Sequence, residues 1–268
     1  MPNYICKTCG TQFATSATPP PRCPICEDER QYVSWNGQQW TTLDDLRRNY
    51  RSVFRSKEPG LTGIGMEPAF AIGQRALLIQ HHNGNVLWDC ISLLDDEIVR
   101  TVRGMGGISA IAISHPHYYS SMVEWSAAFN APIYLHAADH EHVMRPDDRI
   151  VFWDGDVHPL RDGVTLIRCG GHFAGGTVLH WSAGAGGRGA LLAGDIIMVV
   201  NDRRYVSFMY SYPNLIPLST NQVRQVTTAV APYAFDRIYS AWWDKTVERG
   251  AKAALARSVE RYINAITD

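Results

Sequence analysis

The 268-residue sequence contains no run of 18 apolar residues and no long block of like charge. The first absence excludes a membrane-spanning helix, which needs about 20 consecutive apolar residues. The second leaves no basic stripe for nucleic acid or a membrane surface, in keeping with a formal net charge of -1. The first ten residues, MPNYICKTCG, have neither the basic nor the apolar region of a signal peptide, so a cytoplasmic protein is expected. No segment recurs at the period of roughly 20 to 50 residues that marks solenoids and propellers. Cysteine is scarce and unevenly placed: four residues cluster at Cys6, Cys9, Cys23 and Cys26, while Cys90 and Cys169 stand alone. That usage fits metal binding in a reducing compartment better than a disulfide framework.

What is present is the material of a globular protein. Hydrophobic residues make up 46% and charged residues 19% of the chain, enough for one large domain or a medium one with a small accessory module. Residues 1–34 read as that module. They hold two CxxC pairs separated by 13 residues rich in Pro, Thr and Ser. So short a segment cannot build an adequate core. Four thiolates around one tetrahedral ion supply the missing folding energy, which predicts a structural Zn2+ in a zinc-ribbon-like fold. A redox dithiol and a rubredoxin-like iron centre are the alternatives. A closed four-thiolate site has no open coordination position and is not expected to be catalytic.

Residues 35–61 read as a linker with a helix, since TTLDDLRRNYRSV starts with a Thr cap candidate and continues with helical periodicity. From residue 62 onward the texture is that of a mixed domain. ALLIQHHNGNVLWDC reads as two extended runs around the hairpin signal Asn83-Gly84, and LLDDEIVRTVRGMGG as a helix closed by glycines. Strands are expected in ISAIAIS, PIYLHA, VHPLRDGVTLIRCGG, TVLHWSA, GALLAGD and FDRIYSA, and helices in YSSMVEWSAAF, DHEHVM and the C-terminal ERGAKAALARSVERYINAI. Residues 62–268 thus form two β-rich halves, each followed by helices, an α+β class.

Within that domain three segments carry potential chemistry. In AISHPHYYSSM, Pro116 favours an extended residue before it, so His115 and His117 should project to one side at a strand end. Fifty-seven residues after His115, CGGHFAGGT places His172 in a glycine-flanked loop, and 23 residues later LLAGD ends a strand with Asp195. Three imidazoles and a carboxylate suit Zn2+, with Fe2+ or Mn2+ as alternatives. Asp195 could also cap a helix beginning in IIMVV. His81, His82, His136, His140, His142, His158 and His180 are expected in exposed or ordinary packing roles.

These segments, in this order, resemble the metallo-β-lactamase fold superfamily, and Asp89 after the second strand of the hairpin fits that fold's opening. The resemblance covers residues 62–268. It implies an αββα sandwich, with His115, His117 and His172 binding one metal and Asp195 bridging to a second. The private ligands of the second metal are missing. Tyr119 and Ser120 stand where the family's Asp and His follow HxH, and Ala241, Trp242 and Trp243 stand near its last His, with no histidine after His180. A single catalytic divalent metal is therefore expected. Asp195 as ligand or base and Tyr119 as proton donor are the candidate catalytic residues. The aromatic-rich stretch after Asp195 suggests an apolar pocket wall, with Tyr118, Tyr210, Trp242 and Trp243 as candidate substrate contacts.

The expected activity is hydrolysis of a small hydrophobic or aromatic ester, lactone or thioester. A mononuclear iron oxygenase of the persulfide dioxygenase type and a non-catalytic binding protein are the alternative expectations. A small-molecule substrate and a homo-oligomer are the expected partners.

Overall fold

Asn83-Gly84 turns the chain as its residues demand. In the computed structural model, Gly84 takes φ +100°, its N–H donates to His81 O at 3.0 Å, and the strands Ala76–Ile79 and Val86–Trp88 pair antiparallel with Leu77 opposite Trp88. The loop is stitched from within: the Asn85 side chain accepts from His81 N at 3.1 Å and donates to Met105 O and Gly107 O, both at 2.9 Å. The structure describes residues 1–267.

The described chain divides into two compact units, Met1–Leu135 with Asp139–Phe152, and His136–Ala138 with Trp153–Asp268. The first is built on a seven-stranded sheet whose spatial order is the chain order: Arg51–Glu58, Leu61–Glu67, Ala76–Ile79, Val86–Trp88, Ala110–Ala112, Ile133–His136 and Ile150–Trp153. The first four strands run antiparallel. The strands Val86–Trp88, Ala110–Ala112 and Ile133–His136 are parallel, joined through the helices Asp96–Gly104 and Met122–Phe129. Parallel strands need such crossovers and are covered by them. Accordingly the strands Val86–Trp88 and Ala110–Ala112 are buried along their whole length. The helix Asp96–Gly104 buries Ile98 and Val102, four residues apart on one face.

The second unit carries a six-stranded sheet in the order Val157–Arg161, Val164–Arg168, Thr177–Trp181, Ala190–Gly194, Arg237–Ser240 and Thr246–Val247. Helices Thr220–Val230 and Ala251–Thr267 give Val223, Val226, Val230, Ala254 and Leu255 to one core with Val178, Leu191 and Ile238. Ser219 and Gln222 start the first of these helices with a reciprocal capping box.

The N-terminal boundaries differ from those expected. The strand Tyr4–Cys6 pairs with Trp40–Thr42, so the four-cysteine segment extends past residue 34 and belongs to the first unit. The expected linker does hold the helix Leu43–Asn49, capped by the Thr42 hydroxyl, but it also holds the strand Arg51–Glu58. That strand lies at the sheet edge and is exposed or half-buried along its length, so no apolar run marks it in the sequence. DHEHVM forms 3₁₀ turns within Ala137–His142, and no helix begins at Asp195. No helix of the described residues is long and apolar enough to cross a membrane.

The Asp95 carboxylate caps the helix Asp96–Gly104 by accepting from Ile98 N at 2.7 Å. Asp95→Ala is expected to destabilise the protein by about 1 kcal/mol. Urea unfolding checks this, the midpoint falling while its slope stays constant.

Candidate metal centres

The four cysteines converge as their spacing predicts. Both CxxC pairs form tight knuckles: Gly10 N donates to Cys6 O at 2.9 Å with Gly10 at φ +81°, and Cys26 N donates to Cys23 O at 3.0 Å. Cys6 Sγ lies 3.5 Å from Cys26 Sγ and Cys9 Sγ 3.7 Å from Cys23 Sγ, and all four sulfurs lie within 4.8 Å of one another. All are buried, with Phe13, Ile25 and the edge of Trp40 around them. Burial pushes the Cys9 thiol well up, so four thiolates in this space need a cation to hold them. Gln38 Nε2 donates to Cys6 Sγ at 3.2 Å, a bond suited to a thiolate ligand. The donor set fits one tetrahedral ion.

In the first unit, His115 and His117 follow the strand Ala110–Ala112. The extended conformation expected of His115 is present (φ −172°, ψ 170°), but Pro116 opens a 3₁₀ turn, Pro116–Tyr118, instead of prolonging a strand. The two rings nonetheless stay together, with centroids 5.2 Å apart, and both residues are buried. The protonation of His115 is fixed by a short chain of bonds. The Ser114 hydroxyl donates to Asp89 Oδ1 at 2.7 Å and lies 2.9 Å from His115 Nδ1. A carboxylate only accepts, so the hydroxyl spends its proton there and must accept from Nδ1–H. His115 then presents the lone pair of Nε2. Asp89, at φ +59° just beyond the strand Val86–Trp88, also accepts from Ser114 N at 2.8 Å.

In the second unit the same logic applies to His172. Its Nδ1 faces the carbonyls of Tyr210 at 2.7 Å and Met209 at 3.2 Å, so Nδ1 carries the proton and Nε2 the lone pair. Nε2 lies 4.0 Å from Asp195 Oδ1. No hydrogen bond spans that distance. Both residues are buried. Asp195 leaves the strand Ala190–Gly194 at Gly194, whose φ is +54° and whose carbonyl is held by Ser240 Oγ at 2.8 Å and Ala241 N at 2.9 Å. Tyr212 braces both residues: its hydroxyl donates to Asp195 O at 2.5 Å and its ring meets His172 edge-on, 5.7 Å between centroids.

Tyr119 and Ser120, which stand where the resemblance implies ligands of a second metal, make the following contacts. Ser120 Oγ accepts from Gln74 Nε2 at 3.0 Å and donates to Cys90 O at 3.3 Å. Tyr119 lines a crevice with Thr11, Gln12, Met122, Val123 and Met144, and no histidine lines it. Burial, and secondarily the charge of Asp139, hold the Tyr119 hydroxyl well above its ordinary pKa. The residues that share this crevice with Tyr119 include Thr11 and Gln12 of the four-cysteine segment.

The other aromatics divide. Tyr118 packs edge-on against His115, 4.4 Å between centroids, and is fully buried. Tyr210 serves through its backbone carbonyl while its side chain packs on the core. Trp242 and Trp243 are half-buried. Phe208 is core, and Tyr205 lies under the Arg261 guanidinium at 3.8 Å. His136 accepts from Ala138 N at 3.1 Å and donates to Gly155 O at 3.0 Å, and His180 donates to Ala234 O at 2.8 Å, ordinary packing roles as expected. Sequence reasoning missed Ser114 and Tyr212. Ser114 directly precedes His115, a visible signal, whereas nothing local points Tyr212 toward His172.

No protein-family model matches the chain. It is 52% identical over 268 residues to the uncharacterized protein YmaE of Bacillus subtilis (strain 168), covering 99% of this chain and 97% of that one. Among solved structures, the DIM-1 metallo-β-lactamase aligns with a TM-score of 0.61 at 13% identity, over 81% of this chain and 99% of its own. The FIM-1 metallo-β-lactamase of Pseudomonas aeruginosa, in a mono-zinc form, aligns with a TM-score of 0.58 at 13% identity, over 78% and 95%. At that identity the likeness speaks for the fold alone, and it meets the expectation of an α+β metallo-β-lactamase fold. The chain belongs to one family with YmaE, and its fold is that of the metallo-β-lactamases.

Proposed function

We propose that the chain is a metal-dependent hydrolase in which His115, His117, His172 and Asp195 hold one divalent ion, and that it acts on a small hydrophobic or aromatic ester, lactone or thioester. The observation that carries this reading is the wiring of the imidazoles. Ser114 and Asp89 hold the Nδ1–H of His115, and the carbonyls of Met209 and Tyr210 hold that of His172, so that each ring, when neutral, directs a lone pair from Nε2. Hydrogen bonds of this kind on the far nitrogen are the usual support of metal-ligating histidines. Three imidazoles and one carboxylate, all buried, have the number and chemistry of a Zn2+ site, with Fe2+ or Mn2+ as the other candidates.

The contacts of Tyr119 and Ser120 support one ion rather than two, because both side chains already serve the packing of the first unit. A divalent ion held by these residues would supply Lewis acidity toward a substrate carbonyl. Asp195, as the carboxylate of the set, would serve as ligand or as acceptor of a proton from water. Tyr118 walls His115 with an apolar ring. Trp242 and Trp243, half-buried in the second unit, are the further candidate contacts for a hydrophobic substrate. The four cysteines hold a second, structural Zn2+.

Protein purified without added metal is expected to carry two ions per chain, and His172→Ala one. Hydrolysis of a panel of aryl esters, lactones and thioesters should fall roughly a hundredfold or more in that variant. A single ion in both proteins, or turnover indifferent to the substitution, would overturn the reading. Iron with substrate-dependent oxygen uptake would replace it with the oxidative one.

Ser114→Ala removes the acceptor for His115 Nδ1–H and a donor to Asp89. Affinity for the ion is expected to fall about 10- to 100-fold, measured by competition with a chromophoric chelator. Parent-like affinity would show that the Asp89–Ser114–His115 chain does not support a ligand.

A further inference from the structure

The four-cysteine segment and the turn that carries His115 and His117 are joined at Ser120. Ser120 sits at φ +45°, a left-handed conformation that side chains other than Gly, Asn and Asp rarely adopt. It is held there from three sides. Gln74 Nε2 donates to its hydroxyl, the hydroxyl donates to Cys90 O, and its carbonyl accepts from Gln12 N at 3.0 Å. Gln12 follows directly on the first cysteine knuckle, where Cys6 N donates to Thr11 O at 3.0 Å and Ile5 bridges to Gln12. The knuckle is pressed close to the body of the unit: Ser92 Oγ donates to Gly10 O at 2.8 Å, and a Cβ at Gly10 would stand 2.7 Å from that hydroxyl.

The Gln12 side chain reaches the next element as well. Its Nε2 donates to Glu124 Oε1 at 3.3 Å in the first turn of the helix Met122–Phe129, and Arg145 donates to both the Gln12 carbonyl oxygen and Glu124. Gln12 and Ser120 are each 3% exposed, and the cavity left at this contact is about 10 Å³, room for at most one water. Between His117 and Ser120 the chain has no slack. Tyr118 N bonds His115 O, Tyr119 N bonds Pro116 O and Met122 N bonds Tyr119 O, at 3.1, 3.2 and 2.9 Å.

We infer that Gln12 and Ser120 are positioning residues through which the metal-loaded four-cysteine segment sets the turn bearing His115 and His117. The inference rests on the metal reading proposed above. Where the superfamily pattern has ligands for a second ion, this chain has a grip for the cysteine segment, so one metal centre organises the other.

The test uses the full chain with its thiolate-bound ion retained and the histidine site stripped by a mild chelator, and titrates Co2+ into it. Gln12→Ala and Ser120→Ala are expected to raise the Co2+ dissociation constant about tenfold and to alter the visible d–d spectrum. Metal held by the cysteines and the far-UV circular dichroism should stay as in the parent. Trp35→Ala, at a fully exposed position of the same segment, should change nothing. Should Gln12→Ala not fold, Ser120→Gly keeps the left-handed backbone without its cost and loses only the hydroxyl bonds, so it is expected to give the same weakening. Parent-like Co2+ affinity in the folded variants overturns the inference alone. A parent that takes up no Co2+ at all overturns the metal reading and the inference together.

Discussion

A neutral imidazole has one N–H and one lone pair, so whatever accepts from Nδ1 decides what Nε2 can do. In this chain that choice is made twice, by different means. For His115 the acceptor is a serine hydroxyl whose own proton is committed to a buried carboxylate, Asp89. For His172 it is a pair of main-chain carbonyls, from Met209 and Tyr210. Each solution needs a long-range placement: Asp89 follows the strand Val86–Trp88, 25 residues before Ser114, and the two carbonyls come from some 37 residues beyond His172. The fold is the means by which these acceptors arrive.

Burial gives the arrangement its energetic weight. Asp89 and His115 are each 1% exposed. A buried carboxylate without hydrogen bonds is costly, and Ser114 answers with both its N–H and its hydroxyl. Asp195 is held through its backbone, by Tyr212 on its own carbonyl and by Ser240 and Ala241 on that of Gly194. The same economy explains Tyr119 and Ser120, polar residues whose burial is justified by packing and hydrogen bonds within the first unit.

Much of this was legible in the sequence, for physical reasons that differ by feature. The four cysteines and the residues His115, His117, His172 and Asp195 stand out because groups that could hold a metal are rare residue types, here next to turn formers. The helices Leu43–Asn49 and Asp96–Gly104 were expected and are capped at Thr42 and Asp95, whereas Thr220–Val230 was not among the expected helices although Ser219 and Gln222 form its capping box. The strand Arg51–Glu58 was not expected either, since an edge strand with little buried surface has no apolar signature. The direction of Tyr119 was illegible too, because it depends on a contact with Thr11 and Gln12, more than a hundred residues away. Tyr212 and Gln74 act through partners that no local pattern links to them.

The account therefore turns on one claim, that the histidine site holds a single ion because the residues that would serve a second are committed to structure. An anomalous-scattering map of crystals grown with the native metal tests it directly. One peak is expected at His115, His117, His172 and Asp195, separate from the peak at the four cysteines. Two peaks about 3.5 Å apart at the histidine site, the spacing of a two-metal centre, would contradict it.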